Sequence, residues 1–93
     1  MTEFDILGAF SYIRRSKNRT DLVLYLADTI KMPSEIAKHM NIRINQVSAI
    51  LKDLKNENIV VCLNESEKKG RLYELTPKGK ETYKYILKNM EQN

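Results

Sequence analysis

The sequence predicts an α+β, mostly α fold: two helices joined by a tight turn, a β-hairpin after them, and additional N-terminal and C-terminal helices. Three observations predict it. Between Pro33 and Leu54 two amphipathic runs meet at Asn41. After Asn58 the apolar pattern changes from the helical period to a β-branched run, Ile59 to Leu63, and at Thr76 and Pro77 it returns to a helical stripe.

The chain has 93 residues, enough for one modest core, and is read as a single domain over 1–93, with an N-terminal helix at 3–15, a core at 19–76 and a C-terminal helix at 77–92. Sixteen Lys plus Arg against twelve Asp plus Glu leave a formal charge of +4, which favours an anionic partner. One cysteine excludes an intramolecular disulfide and a multi-cysteine zinc site. MTEFD carries no basic leader before an apolar run, and no stretch reaches the length of a membrane span. A cytoplasmic protein without membrane contact is expected.

In the first segment Phe4, Ile6, Leu7, Phe10 and Ile13 recur at helical spacing, with acids before them and arginines after, as the helix dipole prefers. So apolar a circumference suggests a second surface to bury, such as a dimer contact. Ser16 to Arg19 reads as a basic joint, with Asn18 or Thr20 as the cap of a second helix whose Leu22, Val23, Tyr25, Leu26 and Ile30 pack behind the motif. Lys31 and Met32 precede a proline, are pushed toward extended backbone, and suit a very short strand.

Pro33 and Ser34 open the first motif helix, and Ile36, Ala37 and Met40 form its apolar face. Asn41 tolerates the left-handed turn that follows, and small Ala37 lets the next helix cross closely. In that helix Ile44, Val47, Ile50, Leu51 and Leu54 make one apolar face. The other face is polar: Asn45, Ser48, Ala49, Lys52, Lys55 and Asn56, flanked by Gln46 and Asp53. Ile59 to Leu63 and Arg71 to Leu75 read as the two strands of a hairpin, joined by the apolar-free loop Asn64 to Gly70. Thr76 caps the last helix, Pro77 takes its first position, and Tyr83, Ile86, Leu87 and Met90 form a stripe to pack on the first helix, on a partner chain, or on both.

Three helices, a hairpin and a closing helix resemble the winged helix-turn-helix regulators, especially the multiple-antibiotic-resistance and arsenic-resistance repressor types. The resemblance covers roughly residues 20–82. It is carried by Gly70 and Arg71, then Tyr73, Leu75, Thr76 and Gly79, and upstream by Ile36, Ala37, Val47, Ser48, Leu51 and Leu54. Arg43 departs from the usual Ser or Thr before the recognition helix, and Ala49 stands where an arginine is common. The resemblance implies a sequence-specific double-stranded DNA-binding transcription regulator, working as a homodimer, with a recognition helix at about 44–57 and a wing at 64–70.

DNA recognition needs cations for phosphates and matching groups for base edges on one surface. Asn45 and Gln46 suit adenine, Ala49 a thymine methyl, and Lys52 a guanine or a phosphate, with Ser48 on the same face. Ser34, Arg43 and Lys55 suit phosphates, and Lys68, Lys69 and Arg71 on the wing suit the backbone or minor groove. Glu65 and Glu67 dilute the positive field of the wing, and solvated surface lysines are the bland reading of the same pattern. Phe4, Leu7, Phe10, Tyr83, Ile86, Leu87 and Met90 are the expected dimer contacts.

Cys62, inside a β-branched strand, reads as a small buried hydrophobe rather than a redox sensor, and His39 as a surface histidine. No metal site, cofactor or catalytic residue is expected. Paired carboxylates, an activated nucleophile and a phosphate-cradling glycine loop are all missing from the pattern, so an enzyme is the least favoured class. The alternative function is a winged-helix protein–protein interaction module of a larger assembly. A polar, cationic recognition face favours DNA; an apolar one would favour a protein. Operator, sign of regulation and small-molecule effector are not encoded in these patterns.

Overall fold

The computed structural model describes residues 5–91. Five helices and a two-stranded antiparallel sheet follow one another in the order α1 (Ile6–Arg14), α2 (Lys17–Leu26), α3 (Pro33–Met40), α4 (Ile44–Asn56), β1 (Val60–Cys62), β2 (Tyr73–Leu75) and α5 (Pro77–Glu91). Phe4, expected at a dimer contact, lies outside the described residues.

Helix α1 starts where the Asp5 carboxylate accepts the Gly8 N–H at 2.9 Å, and it turns Ala9 and Ile13 inward. The corner into α2 differs from the expectation. Ser16 is the cap, its hydroxyl accepting the Arg19 N–H at 3.2 Å, so Lys17 to Arg19 is the first turn of the helix rather than a joint. Thr20 cannot serve as a cap because it is buried, donating to the carbonyls of Ile13 and Ser16, each at 3.0 Å. Arg19 locks the same corner: it donates to the Tyr12 carbonyl at 2.8 Å, and its guanidinium stands 3.9 Å from the Tyr12 ring centroid.

Leu22, Val23 and Leu26 pack behind α3 and α4 as the pattern requires, and Tyr25 lines the same side half-buried. Ile30 does not join them. It falls beyond the end of α2, in the extended approach to Lys31, and is 49% exposed. Lys31 does form the expected short strand, exchanging backbone hydrogen bonds of 3.0 and 2.9 Å with Tyr73 and adding an isolated bridge to the edge of β2.

Asn41 ends α3 in the left-handed conformation, φ 57° and ψ 47°, and returns the chain at once into α4. Val47, Leu51 and Leu54 then bury one side of α4 against α2, α3 and β1. Ile44 sits at the margin of this seam in the first turn and is 49% exposed, not part of the buried face.

The strands pair Val60 with Leu75, Val61 with Glu74 and Cys62 with Tyr73, so Val60, Cys62, Tyr73 and Leu75 point inward. They are shorter than the sequence pattern, although Leu63 still donates to the Leu72 carbonyl at 2.8 Å. Thr76 caps α5 through the Gly79 N–H at 3.0 Å, while its hydroxyl donates to the Asn58 carbonyl at 2.6 Å. Helix α5 packs across α1, with Phe10 and Tyr85 edge to face at 4.9 Å. Ile86, expected at a subunit interface, is fully enclosed in the chain's own core.

Gly79 brings the first turn of α5 against the start of β1. A Cβ there would collide with the Ile59 carbonyl oxygen, a backbone atom that cannot move aside alone. Gly79→Ala should therefore destabilise the domain by about 1–3 kcal/mol, the usual range for overpacking, read as a lower midpoint in urea unfolding. An unchanged midpoint would show that the contact yields freely.

Candidate nucleic-acid interface

The candidate site is built on α4 because its buried seam fixes which side chains face outward. Opposite Val47, Leu51 and Leu54, the residues Asn45, Gln46, Ser48, Ala49, Lys52, Lys55 and Asn56 are all exposed. The helix starts without a capping hydroxyl. Instead, the Gln46 side-chain oxygen reaches back to accept the Arg43 N–H at 3.2 Å, as the Glu35 carboxylate does for Met32 at 2.8 Å in α3. Gln46 thus uses its acceptor to close the helix start, and its NH₂ end is what remains to meet a ligand. The signal was in the sequence as a Gln three residues after Arg43.

A groove of about 590 Å³ runs between the start of α3, one flank of α4 and the hairpin loop. Ser34, Ser48, Lys52 and Lys55 lie along the helical side, and Lys68, Lys69 and Arg71 along the loop. These expected contacts come together in one place. Arg43, Asn45, Gln46 and Ala49 do not line the groove; they occupy the exposed surface of α4 and its approach beside it.

The loop is held by its own polar groups. Asn64 accepts the Leu72 N–H at 2.8 Å and donates to the Gly70 carbonyl at 3.1 Å, closing a ring over the tip, where Gly70 takes φ +67°. Sequence reasoning passed over Asn64, since an Asn in a polar loop carries no mark of what its amide will bridge. Arg71 donates from Nε to the Glu67 carbonyl at 2.7 Å and from Nη2 to the Glu65 carbonyl at 3.4 Å, so its guanidinium shapes the loop as well as lining the groove.

Lys55 on α4, which lines the groove, forms an ion pair with Glu65 on the loop. Their hydrogen bond, reinforced by the opposite charges, holds the Lys55 ammonium above its ordinary pKa and the Glu65 carboxyl below its own. Both side chains are solvent-exposed, which limits what the pair contributes to stability.

Other singled-out residues fall as follows. Cys62 is buried, 3.6 Å from the Asn64 side-chain oxygen. His39 is exposed on α3 and stacks on Tyr25 with centroids 3.8 Å apart. Among the described residues no group of three or more His, Cys, Asp or Glu could hold a metal ion, and no helix is long and apolar enough to cross a membrane.

No family model and no curated protein matches the sequence. Solved structures do match. A ZitR variant from Lactococcus lactis superposes with a TM-score of 0.74 at 20% identity, covering 83% of this chain and 53% of that one. The adhesin competence repressor AdcR from Streptococcus pyogenes gives 0.71 at 15% identity, covering 83% and 58%. The transcriptional regulator SlyA gives 0.67 at 18% identity, covering 95% and 74%. The fold is a winged helix-turn-helix. The chain spans about half the length of the ZitR chain it matches. In this fold α3 and α4 are the helix-turn-helix, and the hairpin with its loop is the wing.

The Lys55–Glu65 pair makes the wing's attachment to α4 pH-dependent in a defined sense. Because the folded Glu65 value is depressed, its contribution is present above the ordinary carboxylate pKa and is lost as pH falls through the depressed value. Because the Lys55 value is raised, the alkaline limit comes only as pH rises through that raised value. An NMR titration of the Glu65 carboxyl carbon should give a pKa below the usual glutamate range that returns toward it in Lys55→Ala. A value unmoved by that substitution would show the pair to be unformed in solution.

Proposed function

We propose that this winged helix-turn-helix is a sequence-specific double-stranded DNA-binding transcription regulator of the multiple-antibiotic-resistance and arsenic-resistance repressor kind, acting by binding and not by catalysis. The observation that carries it is the groove: Lys52 and Lys55 on the helical wall face Lys68, Lys69 and Arg71 on the wing, beside an α4 surface whose exposed side chains are nearly all polar. Two cationic walls a groove's width apart suit a phosphodiester strand, and the polar surface next to them suits base edges. The named roles of AdcR as a repressor and SlyA as a transcriptional regulator lend support at the level of the fold.

On this reading α4 enters the major groove. Asn45 and the NH₂ of Gln46 meet base edges at its leading end, Ala49 lies against a thymine methyl, and Ser48 and Lys52 follow the strand inward. Ser34, Arg43 and Lys55 take phosphates, and Lys68 and Lys69 extend from the wing toward the neighbouring minor groove, with Arg71 holding the wing's shape beneath them. Lys55 reaches a phosphate by leaving Glu65, so binding exchanges an internal carboxylate for an external anion.

Two copies of the chain pair through α1 and α5. Leu7 is 65% exposed, Met90 46% and Leu87 37%, an apolar set that the chain's own core leaves uncovered, with Phe10 and Tyr83 half-buried beside it. Ile86 supports this surface from within.

Fluorescence-anisotropy titration on mixed-sequence duplex DNA should show binding that weakens steeply as salt rises. The combined substitution Asn45→Ala, Gln46→Ala, Lys52→Ala should weaken it about ten-fold or more, the scale of one or two lost base contacts. A folded protein with no affinity at low salt would sink the proposal and turn attention to a protein partner for the same face. Footprinting on a selected site should reveal two-fold symmetry with half-site centres about 10 base pairs apart or a multiple of that, alongside a dimeric mass in sedimentation. A monomer with an asymmetric footprint would count against the paired arrangement.

A further inference from the structure

We propose that Glu65 is a built-in competitor of the DNA backbone that couples binding to a proton: when Lys55 leaves it for a phosphate, the Glu65 carboxylate takes up a proton, so acid strengthens binding. This rests on the DNA-binding reading given above and deepens it with a regulatory device that the other cations of the groove lack.

Lys52, Lys55, Lys68, Lys69 and Arg71 are the cations that line the groove, and among the described residues Lys55 is the one of them held in an ion pair. Its partner sits in a loop whose backbone is fixed by other bonds. The Glu67 N–H donates to the Asn64 carbonyl at 2.9 Å, the Asn64 amide bridges Leu72 and Gly70, and Arg71 donates from Nη2 to the Glu65 carbonyl at 3.4 Å. None of these bonds uses the Glu65 carboxylate. It therefore stays beside the groove when Lys55 turns away, instead of retreating with a slack loop. Glu67, two residues on, makes no ion pair among the described residues and so offers a comparison within the same loop.

The charges that face Glu65 are Lys55 from α4 and Arg71 from the return of the loop; Lys55 in turn is influenced by Tyr73 on β2 and Cys62 on β1. In the free protein the hydrogen bond and charge of Lys55, with the charge of Arg71, hold the Glu65 carboxyl below its ordinary range. On DNA two things change at once: the Lys55 ammonium turns to a phosphate, and that phosphate brings a negative charge to the groove. Loss of a nearby cation and arrival of an anion both favour the neutral carboxyl, so its proton affinity rises on binding. The sign follows from linkage. A group that holds its proton more tightly in the complex than in the free protein strengthens the complex as pH falls through the interval between its two values. Above that interval Glu65 is ionised in both states and binding must separate it from Lys55; below it the carboxyl is neutral in both states and the competition is gone. An exposed ion pair sets the size of the effect, about two- to five-fold in affinity.

The test is fluorescence anisotropy on mixed-sequence duplex DNA at fixed salt, from neutral to about pH 4, a range that spans the ordinary carboxyl pKa, with circular dichroism at each pH. Glu65→Gln is an isosteric stand-in for the protonated carboxyl. At neutral pH it should bind about two- to five-fold tighter than wild type, and toward acid the wild type should approach it. In a Lys55→Ala background that gain should shrink, and Glu67→Gln should give a smaller gain that is the same with or without Lys55. A gain from Glu65→Gln that is absent at neutral pH, undiminished in Lys55→Ala, or matched by Glu67→Gln in both backgrounds would overturn the competition while leaving DNA binding intact. The Glu65 carboxyl-carbon titration by NMR supplies a readout without any variant: with saturating duplex it should move upward from its free-protein value, and an unmoved value would overturn proton uptake. No affinity of folded wild type for the duplex at low salt would instead overturn the DNA-binding reading and this device with it.

Discussion

The burial of Val47, Leu51 and Leu54 along one side of α4 is the constraint on which the rest of the molecule depends. Each of these side chains removed from water stabilises the fold by roughly 1.5–3 kcal/mol. Rotating α4 by one residue would carry all three partly into solvent and bring Asn45, Ser48 or Lys52 toward the core without partners. The orientation of the polar surface is therefore a consequence of the apolar one. The same seam receives β1, with Val60 and the preceding Ile59 buried beside it, and so it also decides where the wing stands. Lys31, bonded to the far side of β2, ties the wing back to the chain segment that opens α3.

Within that frame the wing divides into groups that shape it and groups that it displays. Asn64 and Arg71 spend their hydrogen bonds on the loop's backbone, which has no sheet partners of its own beyond Leu63 and Leu72. Lys68 and Lys69 sit exposed at the tip that those bonds define. The Lys55–Glu65 pair joins both classes, because it links wing to helix through a cation that also lines the groove.

Much of this was legible locally, and for reasons that are local. Asn41 marks its turn because few residues tolerate φ near +57°, and Thr76 with Pro77 marks a helix start because the cap and the fixed φ act within one turn. The hairpin announced itself in the change from helical to β-branched patterning. What the sequence withheld was decided by burial elsewhere. Three hydroxyl or amide side chains between Ser16 and Thr20 could cap α2, and the choice fell to Ser16 because α1 buries Thr20. Ile30, Ile44 and Ile86 are the same residue type on apolar stripes, yet two are half-exposed and one is enclosed, since a stripe names a face and not what covers it. Gln46 and Arg71 are equally ambiguous, because the groups that suit a base or a phosphate also suit a backbone amide or carbonyl.

The separation of chemistry across the candidate interface has a consequence for how affinity and selectivity are divided. Cations that follow a phosphate strand act on any sequence, and their effect falls as salt rises; groups that touch base edges act on particular sequences and are nearly insensitive to salt. On the proposed surface the two kinds lie on different sides: one flank of α4 with the wing, and the outward face of α4. The channel and wing hold Lys52, Lys55, Lys68 and Lys69, whereas Asn45, Gln46 and Ala49 are exposed toward the leading end of α4, outside the channel. On the proposed function, the strength with which Glu65 retains Lys55 would tune general affinity without moving the side chains assigned to base edges. Conversely, the leading end of α4 is closed by Gln46 over Arg43, so on the proposed function the placement of base-reading groups there would depend on a helix terminus and not on charge. Selectivity on the proposed surface is in this sense a property of the seam and the cap, and affinity a property of the channel.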